Sequence, residues 1–190
     1  MSSKPTRINL AETDHSVADL VDLFNRLFES VENTRLVRGG AEPVYLPASK
    51  DCHYHQVVFA HGFFSSALHE VAHWCLAGRE RRLQLDYGYW YAPDGRDQQQ
   101  QIEFEHVEIK PQALEWILSR SCGKRFRVST DNLNGTESDS MPFKIAVYQQ
   151  VQDYCREGLP VRAKVLCEQL SMFYHTQGCI RADSFSIDEL

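Results

Sequence analysis

The amino-acid sequence predicts an α+β fold, a single helix-rich domain with a small sheet. Four segments carry apolar stripes at helical spacing, whereas only short segments have the composition of strands. No linker, repeat or low-complexity run divides the 190 residues. A chain of this length buries about 70% of its unfolded surface on folding, so it does not need disulfides or structural metals for stability. We therefore expect one domain over residues 1–190, with peripheral tails at 1–14 and 177–190.

The first helix is predicted over residues 16–30, with Asp14 or Ser16 as its N-cap. Its core-facing stripe comprises Val17, Leu20, Val21, Phe24, Leu27, Phe28 and Val31. Residues 42–47 lie between two prolines, which restrict the backbone to extended conformations. We expect a short extended piece there.

The compact apolar run at residues 56–60 predicts a buried strand. A helix over residues 66–77 follows it, with Ser65 or Ser66 as its N-cap. Gly78 lies just beyond the last apolar residues and is the expected stop. A strand that leads directly into this helix would set the position of the helix against a sheet.

Residues 84–91 alternate and are rich in aromatic side chains, which favours a strand. A turn at residues 93–95 leads to a long helix predicted over residues 98–118. Its apolar stripe comprises Phe104, Val107, Leu114 and Ile117. Pro111 should kink this helix or split it, because proline lacks the amide hydrogen of a helix interior. Cys122-Gly123 should end it.

The last third of the chain predicts a short strand at residues 126–129 and a loop at 131–135. Two further helices follow, and Pro160 stands near the start of the second. Their expected core faces comprise Phe143, Val147, Gln150, Val151 and Tyr154, and then Val161, Val165, Leu166, Leu170 and Phe173. The tail from Thr176 is expected at the surface.

Composition indicates a globular protein of the cytoplasm. The sequence is 43% hydrophobic and 24% charged, and no apolar run approaches the length needed to span a membrane. Its six cysteines are scattered without a C-x-x-C pair, which favours reduced thiols over disulfides or a zinc ribbon. A net charge of −6 argues against nonspecific nucleic-acid binding and favours a cationic substrate.

The segment from His69 to His73 reads H-E-x-x-H and predicts a metal site. Histidines at positions i and i+4 lie one above the other on a helix, so both imidazoles can reach one ion. The flanking residues are apolar, so the helix is expected to be buried, where unpartnered imidazoles are costly. A pair of hydrogen-bonded core histidines is the simpler alternative.

A metal site needs a third ligand, and the residues that follow the H-E-x-x-H motif do not supply one. Leu76 and Arg79 stand where a metzincin has glycine and its third histidine. A carboxylate from the long helix is the alternative. Glu108 lies among apolar neighbours and is the predicted ligand, while Glu105, on the same face, is an outer-shell residue or a substitute. Both could instead belong to a solvated acidic face.

Two histidines and one carboxylate suit two kinds of chemistry. With zinc they form a hydrolase site, a peptidase or a nuclease, in which Glu70 is the general base. With iron(II) they form a facial triad with open positions for O2 and substrate. The spacing does not choose between these metals. His61 and His106 are further candidates near the site.

The chain also resembles a known family, the bacterial elongation factor P hydroxylases, over residues 24–176. The resemblance is carried by several unusual blocks: Asn33-Thr34-Arg35-Leu36, residues 42–48, Phe59-Ala60-His61-Gly62-Phe63, residues 69–78, residues 87–97, residues 107–116 and residues 131–135. Blocks of this length and chemistry make the match far more specific than H-E-x-x-H alone.

The resemblance implies hydroxylation of one lysine of elongation factor P after a β-lysyl group has been attached to it. It implies a non-haem iron(II) site with O2 as co-substrate, in which His69, His73 and Glu108 are the ligands. Zinc would then be a substitute that does not support turnover. The implied fold is similar to that of a metal-dependent endoribonuclease of ribosomal RNA maturation.

Within that reading, Glu70 orients a histidine or binds the amine of the substrate. A lysyl-lysine arm carries two positive charges and needs carboxylates and aromatic faces. The candidate carboxylates are Asp86, Asp94, Asp97 and Glu105, and the candidate aromatic residues are Tyr89, Trp90 and Tyr91. Simple strand packing is the alternative role for the aromatic residues. A non-enzymatic partner of the translation machinery with a structural metal is a third reading.

Overall fold

The computed structural model of the protein describes residues 15–87, 95–130, 140–176 and 180–190. The helices and strands of these ranges are α1 Val17–Glu32, β1 Thr34–Arg38, β2 Val44–Leu46, β3 His55–Phe59, α2 Phe64–Leu76, α3 Gln98–Ser121, α4 Met141–Glu157 and α5 Val161–Phe173. Short 3-10 turns occur at Arg81–Leu83, Ala182–Ser184 and Ile187–Glu189. The predicted α+β class, rich in helix with a small sheet, is confirmed. Among the described helices, none combines the length and apolarity needed to cross a membrane.

Helix α1 begins where its capping residue predicts. The Ser16 hydroxyl accepts a hydrogen bond from the amide of Asp19, so the serine satisfies one of the free amides of the first turn. Asp14, the other predicted cap, lies outside the described residues. The apolar stripe is buried at Leu20, Phe24 and Phe28, as expected.

A mixed three-stranded sheet has the order β1-β3-β2, with β1 parallel and β2 antiparallel to β3. The segments 42–47 and 56–60 are confirmed as extended, whereas β1 was not predicted. Thr34 and Leu36 are buried, and Arg35 points outward to pair with Glu29 at 2.8 Å. The strand was missed because its two arginines, Arg35 and Arg38, interrupt the regular alternation of apolar and polar residues that would predict a strand.

A tight turn joins β3 to α2 and fixes where α2 begins. His61 and Gly62 both have positive φ, at 55° and 70°. A Cβ on Gly62 would lie 2.4 Å from Nε of Arg38, so only glycine fits there. The predicted caps Ser65 and Ser66 are wrong, because Phe63 occupies the N-cap position without a side-chain hydrogen bond.

The other end of α2 is held by an arginine from α5. The guanidinium of Arg162 donates to the carbonyl oxygens of Trp74, Cys75 and Ala77 at 2.9, 3.2 and 2.6 Å. It also lies 4.7 Å from the centre of the Trp74 ring. A helix leaves its last carbonyls unpaired, and a cation there also complements the helix dipole. Arg162 therefore secures the helix in its position along the core.

Helix α3 is a single helix of 24 residues that passes through Pro111 without a break. The predicted split is therefore wrong. Pro111 is buried, as is most of the helix that follows it. Packing of α3 against α2, α4 and α5 compensates for the hydrogen bond that proline cannot donate. The helix ends at Ser121, with Cys122 as its C-cap, as predicted.

Two predicted strands are not strands in the described residues. Residues 84–87 make one isolated bridge, between Asp86 and Tyr45, and the rest of the aromatic segment, with the turn at 93–94, lies outside those residues. Residues 126–129 have no strand partner. The side chain of Gln112 takes that place, because it donates to the Ser129 carbonyl at 2.7 Å and accepts from the Ser129 amide at 3.0 Å. The predicted loop at 131–135 is not described.

The last two helices are confirmed, with Pro160 as the N-cap of α5. The expected core face of α5 is confirmed at Leu166 and Leu170 and is wrong at Val161, Val165 and Phe173, which are 80%, 38% and 43% exposed. The C-terminal segment, expected at the surface, places one side chain in the core. Phe185 is buried and meets Trp116 edge to face, with ring centres 5.1 Å apart.

Candidate metal centre

The H-E-x-x-H segment forms two turns of α2 and presents both imidazoles on one face. The Nε2 atoms of His69 and His73 lie 3.1 Å apart. Glu108 of α3 points between them, with carboxylate oxygens 3.1 Å from His73 Nε2 and 3.6 Å from His69 Nε2. The structure thus brings together the three side chains predicted as ligands, and their ligand atoms all lie within 4.8 Å of one another.

Glu108 is charged despite its burial. Its side chain is 3% exposed, and burial alone would raise the pKa of a carboxyl group. The neighbouring imidazoles, chiefly His73, outweigh this effect and lower the pKa of Glu108 to about 2. Gln112, one turn further along α3, places its side-chain amide 3.5 Å from the carboxylate.

Glu115 is a member of the centre that the sequence reasoning missed. Its carboxylate lies 2.9 Å from Nδ1 of His69, and its side chain is 11% exposed. A carboxylate only accepts, so Nδ1 of His69 is the donor and Nε2 faces Glu108 and His73. The one signal in the sequence is its spacing, seven residues after Glu108, which places both on one helix face.

The charge around His69 strongly favours a proton on this ring in the absence of a metal. Burial opposes the charged form, but the hydrogen bond to Glu115 and the charge of Glu108 outweigh it and raise the pKa of His69 to about 10. A metal ion at Nε2 would take the place of that proton.

Glu70 lies beside the cluster but outside the group of three. Burial raises its pKa, although both imidazoles act in the opposite direction. Its side chain lines two cavities that meet at the histidines. A carboxyl group in this position can hold a proton or receive an ammonium group.

The remaining predicted site residues occupy different places. Glu105 accepts a hydrogen bond from Gln101 at 2.9 Å and lies outside the histidine group. Asp97 caps α3, because its carboxylate accepts from the amide of Gln100 at 2.9 Å. His61 is exposed on the rim of a cavity. Tyr91 lies outside the described residues, as do Asp94, Tyr89 and Trp90.

Two further predicted residues are described. Asp86 forms an ion pair with Arg81 at 2.6 Å and lines the smaller of the two cavities. His106 is exposed on α3 and lines neither cavity. Neither residue belongs to the group around His69.

The two cavities share Glu70, His73 and Glu108 in their walls. The smaller has a volume of about 300 Å³, and its apolar wall comprises Val44, Val57, Leu76, Ala77, Val107 and Pro111. The larger has a volume of about 650 Å³ and also reaches His69, Glu115 and His61. Its far wall carries the cations Lys124, Arg125 and Arg127. Any ligand at the histidines is therefore open to both cavities.

The donor set fits a transition-metal ion. Ligand atoms bound to one ion at about 2.0–2.1 Å lie roughly 3 Å apart, which is close to the spacing of the three side chains. In the neutral form of His69, Glu115 keeps the remaining proton on Nδ1, so Nε2 offers a lone pair to a metal ion once the second proton has left. Imidazole and carboxylate donors suit iron(II) and zinc.

Comparison with known proteins points to one family. The family model described as elongation factor P hydroxylase matches residues 23–185. The curated elongation factor P lysine hydroxylase of Haemophilus influenzae is 52% identical over 174 residues. The alignment covers 92% of this chain and 98% of that protein. The matched region includes every residue of the candidate centre.

The Glu108→Ala variant should lose far more metal affinity than Glu105→Ala. Glu108 points at both imidazoles, whereas Glu105 is held by Gln101. We expect a loss above roughly 100-fold for Glu108→Ala, beyond the range typical of outer-shell residues. Zinc affinity measured by chelator competition checks this, with His69→Ala as the positive control. A larger loss for Glu105→Ala would reverse the assignment.

The Glu115→Ala variant should bind zinc roughly 10–100-fold more weakly than the wild type, because Nδ1 of His69 loses its acceptor. Glu115→Gln should lose less, since its amide oxygen can still accept from that nitrogen. Glu103→Ala, an exposed change on the same helix, is the matched control. Equal affinities for wild type and Glu115→Ala would show that Glu115 does not orient the ligand.

Metal affinity should rise with pH between 6 and 8, by up to about tenfold per pH unit for each displaced proton. The pKa of His69 is raised to about 10, so this ring carries an extra proton throughout that range. Calorimetric titration with zinc in buffers of different ionisation enthalpy counts the protons released. Glu115→Gln removes the charge that holds the proton and should show a weaker dependence. An affinity independent of pH would contradict this expectation.

Proposed function

The chain belongs to the elongation factor P hydroxylase family, and from this premise we propose that it is an enzyme that hydroxylates a lysine side chain of elongation factor P. The observation that carries the proposal is the group formed by His69, His73 and Glu108 at the junction of two cavities. Such a group can hold an ion where a substrate side chain reaches it. Elongation factor P acts in translation, so we also propose a cytoplasmic location.

We propose iron(II) as the resident metal, held by His69, His73 and Glu108. When bound, it supplies the redox chemistry with O2 that insertion of oxygen into an unactivated C–H bond requires. Zinc fits the same donors but has no redox chemistry, so it would fill the site without supporting turnover. The family resemblance also implies a fold similar to that of a metal-dependent endoribonuclease, and this stays a prediction.

The protein's own side chains prepare the centre for this chemistry. Glu115 accepts from Nδ1 of His69 and so directs the other ring nitrogen toward the ion. Glu108 is held in its charged form by the two imidazoles, so it needs no deprotonation to act as a ligand. Apolar side chains form much of the wall of the smaller cavity beside His73 and Glu108.

We propose that the smaller cavity receives the substrate arm, a lysine that carries a β-lysyl group. Its apolar wall suits a chain of methylene groups, and its volume of about 300 Å³ is at the lower end for small-molecule sites. Glu70 lies where this cavity meets the histidines and can accept a hydrogen bond from an ammonium group. Asp86 lines the same cavity, already paired with Arg81, and so do Arg82, which pairs with Glu32, and Lys110. These cations leave the end of the cavity at Glu70 as the place for the ammonium group.

A zinc hydrolase is the second candidate, and the position of Glu70 favours it. A glutamate beside two histidines of an H-E-x-x-H helix is the general base of such enzymes, and burial raises the pKa of Glu70 toward the range that a base needs. The two functions give opposite changes in the mass of the substrate.

Lysylated elongation factor P should gain about 16 Da, the mass of one oxygen atom, when incubated with this protein, iron(II), a reductant and O2. The unmodified factor should react poorly, because a shorter arm with one charge fills the smaller cavity incompletely. Intact-mass spectrometry measures both. Zinc-loaded protein and the His73→Ala variant are controls that should give no gain.

Three results would count against the proposed function. Loss of mass from the lysylated factor would favour the hydrolase. Full activity with zinc under strict exclusion of iron would exclude the redox role of the metal. Equal oxidation of the lysylated and unmodified factors would exclude selection of the lysyl group.

A further inference from the structure

Three cations that are close in sequence line the larger cavity, which the two histidines also line. They are Lys124, Arg125 and Arg127, here called the basic wall, and they belong to the segment that follows α3. Arg125 and Arg127 are exposed, and Lys124 is partly buried. The chain as a whole carries a net charge of −6, so this cluster has the opposite sign to the protein around it.

The segment of the basic wall is fixed to α3 by buried groups. Phe126 is buried between the two arginines and stacks on Trp116, with ring centres 5.8 Å apart. Gln112, 1% exposed, makes hydrogen bonds in both directions with the backbone of Ser129. Gln101, also 1% exposed, donates to the carbonyl of Thr130 at 3.2 Å.

This attachment determines where the charges point. Phe126 is buried, whereas Arg125 and Arg127 on either side of it are both exposed. Two almost fully buried glutamines hold the segment that a strand partner would otherwise hold. The wall is therefore a built part of the cavity rim, and its arginines stay on the same side of the site.

The three cations of the basic wall form no ion pair with the described residues. None of the ion pairs formed within residues 15–87, 95–130, 140–176 and 180–190 includes Lys124, Arg125 or Arg127. Lys124 has a ring contact instead, with Nζ 5.8 Å from the centre of Phe64. The two arginines therefore keep their donors available for a partner outside the chain.

We infer that the basic wall docks an acidic surface of the substrate protein, beside the lysine that enters the site. This inference rests on the proposed function, because it places a protein substrate at the larger cavity. Exposed arginines on a rim suit a broad surface of another protein. A small dianion would need donors that converge in a buried pocket, and Arg125 and Arg127 are both exposed.

The position of the wall also orients the substrate. Glu70 at the centre, outside the ligand group, can receive a cationic arm, while the rim repels the arm and attracts an anionic body. A partner with a cationic side chain that projects from an acidic surface satisfies both regions in one orientation only. Such complementarity mainly raises the association rate and its dependence on salt.

The test is a charge reversal at the rim. The double variant Arg125→Glu/Arg127→Glu should bind elongation factor P with an association rate lower by about tenfold or more at low salt, and with a weaker salt dependence. The effect should be equal for lysylated and unmodified factor, because the wall contacts the body of the protein and not the arm. Biolayer interferometry with metal-loaded protein measures the rates.

A matched control separates docking from net charge. Arg26→Glu/Lys164→Glu makes the same change of charge at exposed residues that line neither cavity, and it should leave the association rate within about twofold of the wild type. Zinc affinity and thermal unfolding of both double variants should match the wild type. If the rim variant has a lower melting temperature, the milder Arg125→Gln/Arg127→Gln variant replaces it. This variant changes half as much charge, so the logarithm of its association rate should fall by about half as much as expected for the reversal.

Several outcomes would overturn the inference. One is an association rate unchanged by the rim reversal, and another is an equal loss in the control variant. A third is a rim variant that binds a small dicarboxylate more weakly than the wild type does but binds elongation factor P with unchanged affinity. Binding of a short single-stranded RNA that the reversal abolishes, with binding of the factor unchanged, would make the wall a nucleic-acid contact. Failure of the wild type to bind or hydroxylate the factor would overturn the proposed function as well.

Discussion

The contact between α2 and α3 sets two imidazoles against three carboxylates, and this imbalance of charge governs the centre. His69 and His73 come from α2, together with Glu70, while Glu108 and Glu115 come from α3. Carboxylates removed from water are costly unless they are paired. Glu115 and Glu108 meet the imidazoles directly, at 2.9 and 3.1 Å, so the two helices cannot slide past each other without exposing unpaired charge. A bound cation would balance the remaining negative charge.

Helical spacing explains why α3 supplies these residues and not their neighbours. Glu108, Gln112 and Glu115 stand at positions i, i+4 and i+7 and form one stripe that faces α2 and the segment after α3. Gln101 and Glu105 form another pair at i and i+4, joined to each other by a hydrogen bond. In this stripe, Glu108 is the proposed ligand, Gln112 contacts both Glu108 and the backbone of Ser129, and Glu115 accepts from His69. One helix face therefore organises both the centre and the rim of the larger cavity.

The sequence predicted those features that depend on local spacing. The stripe of α1 and its cap at Ser16 and the H-E-x-x-H helix follow from residues near one another in the chain. Glu108 is 39 residues from His69, and it was predicted from its apolar neighbours and from the family resemblance. Glu115 and β1 were missed for a different reason. The role of Glu115 depends on His69, 46 residues away, and β1 depends on its pairing with β3. The error at residues 126–129 has the same origin, since Gln112 replaces a strand partner that no local pattern reveals.

The two cavities together distinguish between classes of partner by the sign of their charge. Nucleic acid carries negative charge along its whole length, so the arginines of the rim would attract it, while Glu70, which lies outside the ligand group, would oppose a phosphate that entered further. A free polyamine or a free lysine is a cation, so the basic wall would repel it as it approaches the larger cavity. A protein with an acidic surface and one long cationic side chain has neither difficulty. Under the proposed function, the apolar wall of the smaller cavity favours a long arm, since a longer arm buries more methylene groups and so offsets more of the loss of water around its charges.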